Sequence, residues 1–287
     1  MKQLIEKVLR DHSLEDKVEY WTANTLDSST SGSVYFRNGS IRLPDYLNVT
    51  EFNQLRARRI NRLLKDKFGL QIDDPDVWSG EEGTTIINSF LLSDRAKKFL
   101  IARDLHPIES ADVWAKTTII SLAAYLAMLL QSKHEQKLRT MAGKKVRPVL
   151  FGSQRPVAQF WAFSIPLAIV FAYGLYLTWG VEMHRDADAM ALSRGKKDAL
   201  AITKLTFEEA KLLDGDYYLG ALEFYEKVLE RNKAVRSLLK RQNKKVGWWS
   251  YLNLDQIREN GGENNVHISN QLPSDVRLKN IQKWERS

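Results

Sequence analysis

The chain contains no cysteine, which removes disulfides and thiolate metal sites and leaves the redox compartment open. It also lacks any G-x-S-x-G, Walker or dinucleotide-binding glycine pattern, so nucleophile elbows and phosphate-cradling loops have no representative. Histidine is scarce: His12, His106, His134, His184 and His267 are the full set. His134-Glu135 opens like the zinc-protease motif H-E-x-x-H, but the fifth position is Leu138. A helical zinc pair needs two imidazoles one turn apart, so that match fails. A mean hydropathy of −0.38 excludes a polytopic transporter. The opening stretch, MKQLIEKVLRDHSLEDKVEYW, has no apolar h-region and carries the acids that presequences avoid. Neither a signal nor a transit peptide is expected there, so internal segments would direct insertion, or the natural N-terminus lies upstream.

What the chain does have is an uncharged run from Pro156 to Val181. Its apolar part, Val157 to Trp179, is long enough at ~1.5 Å per residue to cross a ~30 Å hydrocarbon layer. Phe160 and Trp161 lie near one end, and Tyr173, Tyr176 and Trp179 near the other, where amphipathic rings favour the headgroup level. Pro166 and Gly174 are tolerated in membrane helices. A second uncharged stretch, Thr117 to Ser132, is extended by Val113, Trp114 and Ala115 past Lys116, whose ammonium can snorkel. Together they predict a two-helix transmembrane hairpin.

The 287 residues allow one substantial soluble domain beside that hairpin, and the net charge of +8 invites a nucleic-acid reading. The excess is concentrated between the spans, where Lys133, Lys137, Arg139, Lys144, Lys145, Arg147 and Arg155 face only Glu135. Such a loop suits the cytoplasmic or matrix side of a membrane, with both termini opposite. No nucleic-acid partner is expected, because no groove-reading motif accompanies the charge.

Along the rest of the chain, residues 2–12 read as a helix, with Leu4, Ile5, Val8 and Leu9 on one face. Ser31 to Leu47 reads as a β-hairpin turning at Asn38-Gly39. Thr50 is placed to cap a helix that Gly69 ends, with Arg56, Arg58, Arg59, Arg62, Lys65 and Lys67 on its solvated face. Ser93 to Ile108 reads as a helix running toward the membrane, interrupted at Pro107. Asp186 to Leu213 is predicted helical, Asp214 to Tyr218 a turn, and Gly220 to Arg241 an amphipathic helix. Asn38-Gly39-Ser40 and Asn48-Val49-Thr50 are formal glycosylation acceptors, which would matter only in the secretory pathway.

The predicted fold class is α+β, mostly helical. Its segments are 1–112 (first part of the soluble domain), 113–132 (first span), 133–155 (basic loop), 156–181 (second span), 182–241 (helical second part) and 242–287 (polar tail).

Two resemblances accompany this pattern. The order of the Gly32 to Pro44 segment, a helix entering the hairpin, an acidic Ala-rich helix and E-F-Y-E-K at Glu223 to Lys227 resembles the membrane-embedded zinc peptidases of the HtpX type. Laid on A-R-D-L-H-P, that resemblance puts Arg103 and Pro107 where the motif histidines belong and Asp104 in the glutamate position. Glu182 or His184 would then stand for the third ligand. It implies a degenerate zincin-type soluble domain, inactive for want of imidazoles. The rival is an active metallopeptidase with a non-standard site around Asp104, His106, Glu182 and His184.

A closer resemblance lies in LLSDRAKKFLIARDLHPIES (Leu91 to Ser110) and GALEFYEKVLERNKAVRSLL (Gly220 to Leu239), with the same segment order over much of the chain. These look like the transmembrane protein 177 family of mitochondria. The resemblance implies a two-span inner-membrane protein with no enzymatic activity and no cofactor. Such a protein assists cytochrome c oxidase assembly by stabilising the chaperone of newly made subunit II. The implied partners are membrane lipids, subunit II and that chaperone. The candidate partner surface is Glu223, Glu226 and Arg231 with Trp248 and Trp249. Family members usually carry an apolar segment upstream of where this chain begins. The loop charge argues that the soluble domain faces the intermembrane space, while the resemblance implies no orientation.

Overall fold

The computed structural model describes residues 1–35, 38–49, 57–110, 115, 117–125, 128–129, 154–201, 207–241, 257–264 and 272–284. Along the two long helices, side chains are described at 169–193 and 217–241. The chain forms two compact units, one of Met1–Ala111 with Glu182–Ser287, the other of Asp112–Val181.

In the first unit, α1 (Lys2–Asp11) buries Ile5, Val8 and Leu9, the face that its apolar spacing predicts. A three-stranded sheet follows: β1 (Val18–Ala23), β2 (Ser29–Ser31) and β3 (Gly39–Pro44), in the order β1-β3-β2. β1 runs parallel to β3 with Tyr20 opposite Ile41, and β2 antiparallel with Thr30 opposite Ile41. Ile41 and Leu43 are fully buried while Arg42 between them is exposed, the period of two expected of a half-buried strand. The hairpin is therefore real, but its strands and turn differ from expectation. The chain reverses between Ser31 and its partner Ser40, through Gly32 at φ 78°, and Gly39 is already in β3, opposite Val18 of β1. A β-carbon at 39 would collide with the side chain of Ile108, so Gly39 serves close packing of a helix on the sheet rather than a turn.

That helix is α5. Before it come α2 (Ala57–Phe68), α3 (Pro75–Ser79) and α4 (Glu81–Ser89). α2 buries Ile60, Leu63, Leu64 and Phe68 and ends at Gly69, whose φ is 67°; residues 50–56, with the expected Thr50 cap, lie outside the described residues. α5 (Asp94–Glu109) starts at Ser93, whose hydroxyl accepts from the Ala96 amide at 3.3 Å. The expected interruption at Pro107 does not occur: the helix runs on to Glu109, buried on most sides through Phe99, Leu100, Ile101, Ala102, Leu105 and Ile108. Pro107 is absorbed in its last turn: it removes one i→i−4 bond, to the Arg103 carbonyl, while burial of the rest of the helix holds its course to Glu109. The amide of Val34 then donates to the Ile108 carbonyl at 3.2 Å.

Two long helices complete the frame. α6 (Gln154–Ala201) passes Val181 without a break, where the end of a span was expected; between Val181 and Ala201 the sequence has no Pro and a single Gly, Gly195, which stays helical. α7 (Phe207–Arg241) runs through Asp214 to Tyr218, where a turn was expected. The Gly215 that suggested the turn is tolerated inside a helix held by tertiary packing on both α4 and α5. The last stretch is not a polar tail throughout. Ile257 bridges Glu263, and α8 (Ser274–Trp284) packs on α7. α8 escaped notice because its inward face carries Arg277 as well as Ile281.

Among the described residues, no helix is long and apolar enough to cross a membrane. The expected first span is described only at 115, 117–125 and 128–129, and the side chains of the second only from residue 169.

Candidate functional site

The most concentrated polar chemistry in the first unit is a buried chain of charges where the peptidase resemblance put its ligands. α5 contributes Arg103 and Asp104, α6 His184 and Asp188, α7 Tyr225, α8 Arg277, and the β1–β2 loop Ser28. Asp188, on the face of α6 shared with Ala187, Ala191 and Leu192, is 5% exposed, and Arg277 is 6% exposed. The Arg277 guanidinium grips this carboxylate with two bonds, Nε to Oδ2 at 2.6 Å and Nη2 to Oδ1 at 2.5 Å. Such forked pairing is the strong form of a charge-assisted bond. The Tyr225 hydroxyl donates to Asp188 Oδ1 at 2.8 Å and accepts a longer bond from Arg103 Nη1 at 3.5 Å. Arg103 closes on Asp104 through Nε at 2.9 Å and reaches Ser28 Oγ with Nη2 at 3.2 Å. Each guanidinium also lies over a ring, Arg277 over Tyr225 and Arg103 over Phe224, both at 5.1 Å.

The electrostatics lock these protonation states. Burial alone would lower the Arg103 pKa, but Asp104 and Tyr225 hold it above its ordinary value. Burial likewise opposes the charge on Arg277, and Asp188 outweighs it. Burial pushes the Tyr225 phenol up, against the pull of Arg277. Both arginines stay charged and the phenol stays protonated across physiological pH. The arrangement ties four helices and a loop together.

A zinc site does not fit here. The residues in the histidine positions are a guanidinium, Arg103, and a proline in the last turn of α5. Glu182 is exposed, and His184 lies against Arg277 Nη1 at 3.5 Å. A divalent cation on Asp104 or Asp188 would displace or face a buried guanidinium already bound to the same carboxylate. No group of three or more potential ligands gathers among the described residues. The peptidase resemblance is thus unsupported, as is the rival metal site.

The candidate partner surface divides. Glu226 is exposed on α7. Arg231 is only 4% exposed, its guanidinium 5.7 Å over the Phe90 ring, so it packs inside rather than meeting a partner. Trp248 and Trp249 lie outside the described residues. Glu223 holds the N-terminus of α5: it accepts from the Ser93 amide at 2.9 Å, from the Ser93 hydroxyl, and from Lys227 at 2.8 Å. Burial would raise its pKa, but these donors hold it below the usual carboxylate range. A depressed folded pKa means stability present above the unfolded value of about 4.3 and lost as pH falls through the folded one. Glu223→Gln is therefore expected to flatten the fall in thermal midpoint between neutral pH and strong acid. An unchanged acid limb would refute the assignment.

The second unit carries a different surface. Among the described residues fourteen large hydrophobic side chains are exposed, and ten of them fall within Asp112–Val181. Ile120, Met128, Ile169 and Val170 are each more than 60% exposed. Apolar side chains at this density mark a membrane or partner interface, since monomers in water seldom expose them in clusters.

Three curated proteins align with the chain. Transmembrane protein 177 of Rattus norvegicus is 29% identical over 171 residues, taking in 59% of this chain and 45% of that protein. The Mus musculus protein of the same name is 30% identical over 172 residues, with the same coverage. That of Danio rerio is 27% identical over 163 residues, 56% of this chain and 43% of the relative. The chain is a distant relative of the transmembrane protein 177 family. It spans less than half the length of the curated relatives it matches. No family model and no solved structure matches it.

Asp188, Tyr225 and Arg277 were not legible as a site. The one signal was positional: Asp188 occupies the inward stripe of its helix, where a carboxylate demands a partner.

Proposed function

We propose that the chain is a non-enzymatic protein of the mitochondrial inner membrane that assists cytochrome c oxidase assembly by stabilising the chaperone of newly made subunit II. The observation that carries the membrane part is the apolar surface that the described residues between 112 and 181 expose, which water would not tolerate and a bilayer would cover. In this reading the runs 113–132 and 156–181 are the two spans, and the relatives' printed name, Transmembrane protein 177, agrees with it. The assembly role rests on the family resemblance. It is supported by a soluble unit whose buried acids are tied to arginines rather than set beside a nucleophile. Exposed Glu226 remains a candidate contact, together with Trp248 and Trp249.

Two measurements test this. Alkaline carbonate extraction should leave the protein in the membrane pellet; release into the supernatant removes the anchor. Gentle solubilisation of mitochondria should then co-purify it with subunit II or its chaperone. Recovery of the protein free of both would remove the assembly role while leaving the anchor standing.

A further inference from the structure

One surface of the first unit is left unexplained by the anchor or by the assembly role. On α2, Arg58, Arg62 and Lys65 are exposed and spaced four and three residues apart, so they form one stripe. Their neighbours on the helix are neutralised: Arg59 pairs with Asp45 and Lys67 with Asp27. No acid pairs with the stripe among the described residues. The three cations line a recess of about 430 Å³ with Asn61, Gln71 and one acid, Asp66. Its floor is rigid, because Asn61 donates to the Ile72 carbonyl at 3.0 Å and accepts from the Ile72 amide at 2.8 Å. The result is a preformed concavity of net positive charge, built on a helix whose other face is locked into the core through Ile60, Leu63, Leu64 and Phe68.

We infer that this recess docks on anionic lipid headgroups. The inference rests on the anchor reading. A bilayer that holds residues 112–181 tethers the rest of the same chain to its surface, so headgroups meet the recess at high effective concentration. Cations near an anionic leaflet attract it individually and in sum. An acidic protein segment would satisfy the same charges, but only the lipid is always within the tether's reach.

The test uses the full chain in nanodiscs made of phosphatidylcholine alone or with phosphatidylserine, each doped with a headgroup-diazirine form of its own lipid. Co-elution of the chain with both kinds of disc reports on the anchor independently of the recess. After photolysis, phosphatidylserine adducts are expected on peptides covering residues 57–71, at least about tenfold above phosphatidylcholine adducts. They should disappear at high salt and in the variant carrying Arg58→Gln, Arg62→Gln and Lys65→Gln, while adducts on 112–181 persist. Equal labelling by the two lipids, or undiminished labelling of the variant, overturns the docking with the anchor intact. Protection of residues 57–71 in native membranes without any lipid adduct in the discs also overturns it and assigns the recess to an acidic protein. Failure to co-elute with either disc overturns both.

Discussion

Asp188→Ala is expected to lower the unfolding free energy by about 3–5 kcal/mol, the cost of leaving a buried charge without its partner. Arg277 would then sit 6% exposed over the Tyr225 ring with no carboxylate to accept its Nε and Nη2 protons, and the Tyr225 hydroxyl would lose its acceptor. Denaturant unfolding in mild detergent, followed by tryptophan fluorescence, reads the loss. The informative comparison is the double replacement Asp188→Leu with Arg277→Met. Removing both charges spares the desolvation of each, so the double variant should recover most of what the single one loses. Additive losses would mean that the two residues act separately, against the bidentate geometry. Arg103→Met should cost less, because its guanidinium reaches toward the half-buried Ser28, where water can enter.

Gly220→Val is expected to have the next largest effect. Intrinsic propensity alone argues the other way: replacing a mid-helix glycine by alanine gains up to about 1 kcal/mol. At 220, however, an added β-carbon would strike the Arg95 carbonyl and lie 2.9 Å from the Ala96 amide nitrogen. Both are backbone atoms in the first turn of α5 and cannot swing aside. Gly220→Ala should therefore destabilise by roughly 1–3 kcal/mol, with valine worse, as overpacking at a fixed contact does. Gly174, with nothing within 4 Å of a β-carbon, is the control: its alanine variant should be no less stable than the parent and gain up to about 1 kcal/mol from helix propensity. A stabilised Gly220→Ala would show that α5 and α7 do not touch at this point.

Local rules made much of the helical frame legible. α1 showed its apolar stripe, α2 its terminal Gly69, and α5 its Ser93 cap, because each signal acts within a turn of the residues it concerns. Tertiary override accounts for the rest. Pro107, the Gly215 turn signal and the Asn38-Gly39 pair all look like breakers in isolation. Two of them are absorbed into helices, and the third belongs to a strand that needs room for Ile108. α8 was hidden because arginine at 277 reads as surface until its acid is found on a helix that begins more than a hundred residues earlier. The positions 103 and 104 singled out as worn-down ligands do meet in a buried cluster, but as an ion pair; Glu182 faces outward and Arg231 inward, the reverse of the roles suggested for them.

The first unit is discontinuous in sequence, joining residues 1–111 to residues 182–287, and the Asp188 clasp closes only when Arg277 arrives. At roughly 5–20 residues per second, a ribosome that has released residue 111 needs on the order of ten to thirty seconds more to reach 277. During that interval α5 must wait without the rings of Phe224 and Tyr225 that pack against Phe99. Synthesis therefore imposes an order of events: the first stretch of this unit is made well before the helices that complete its core.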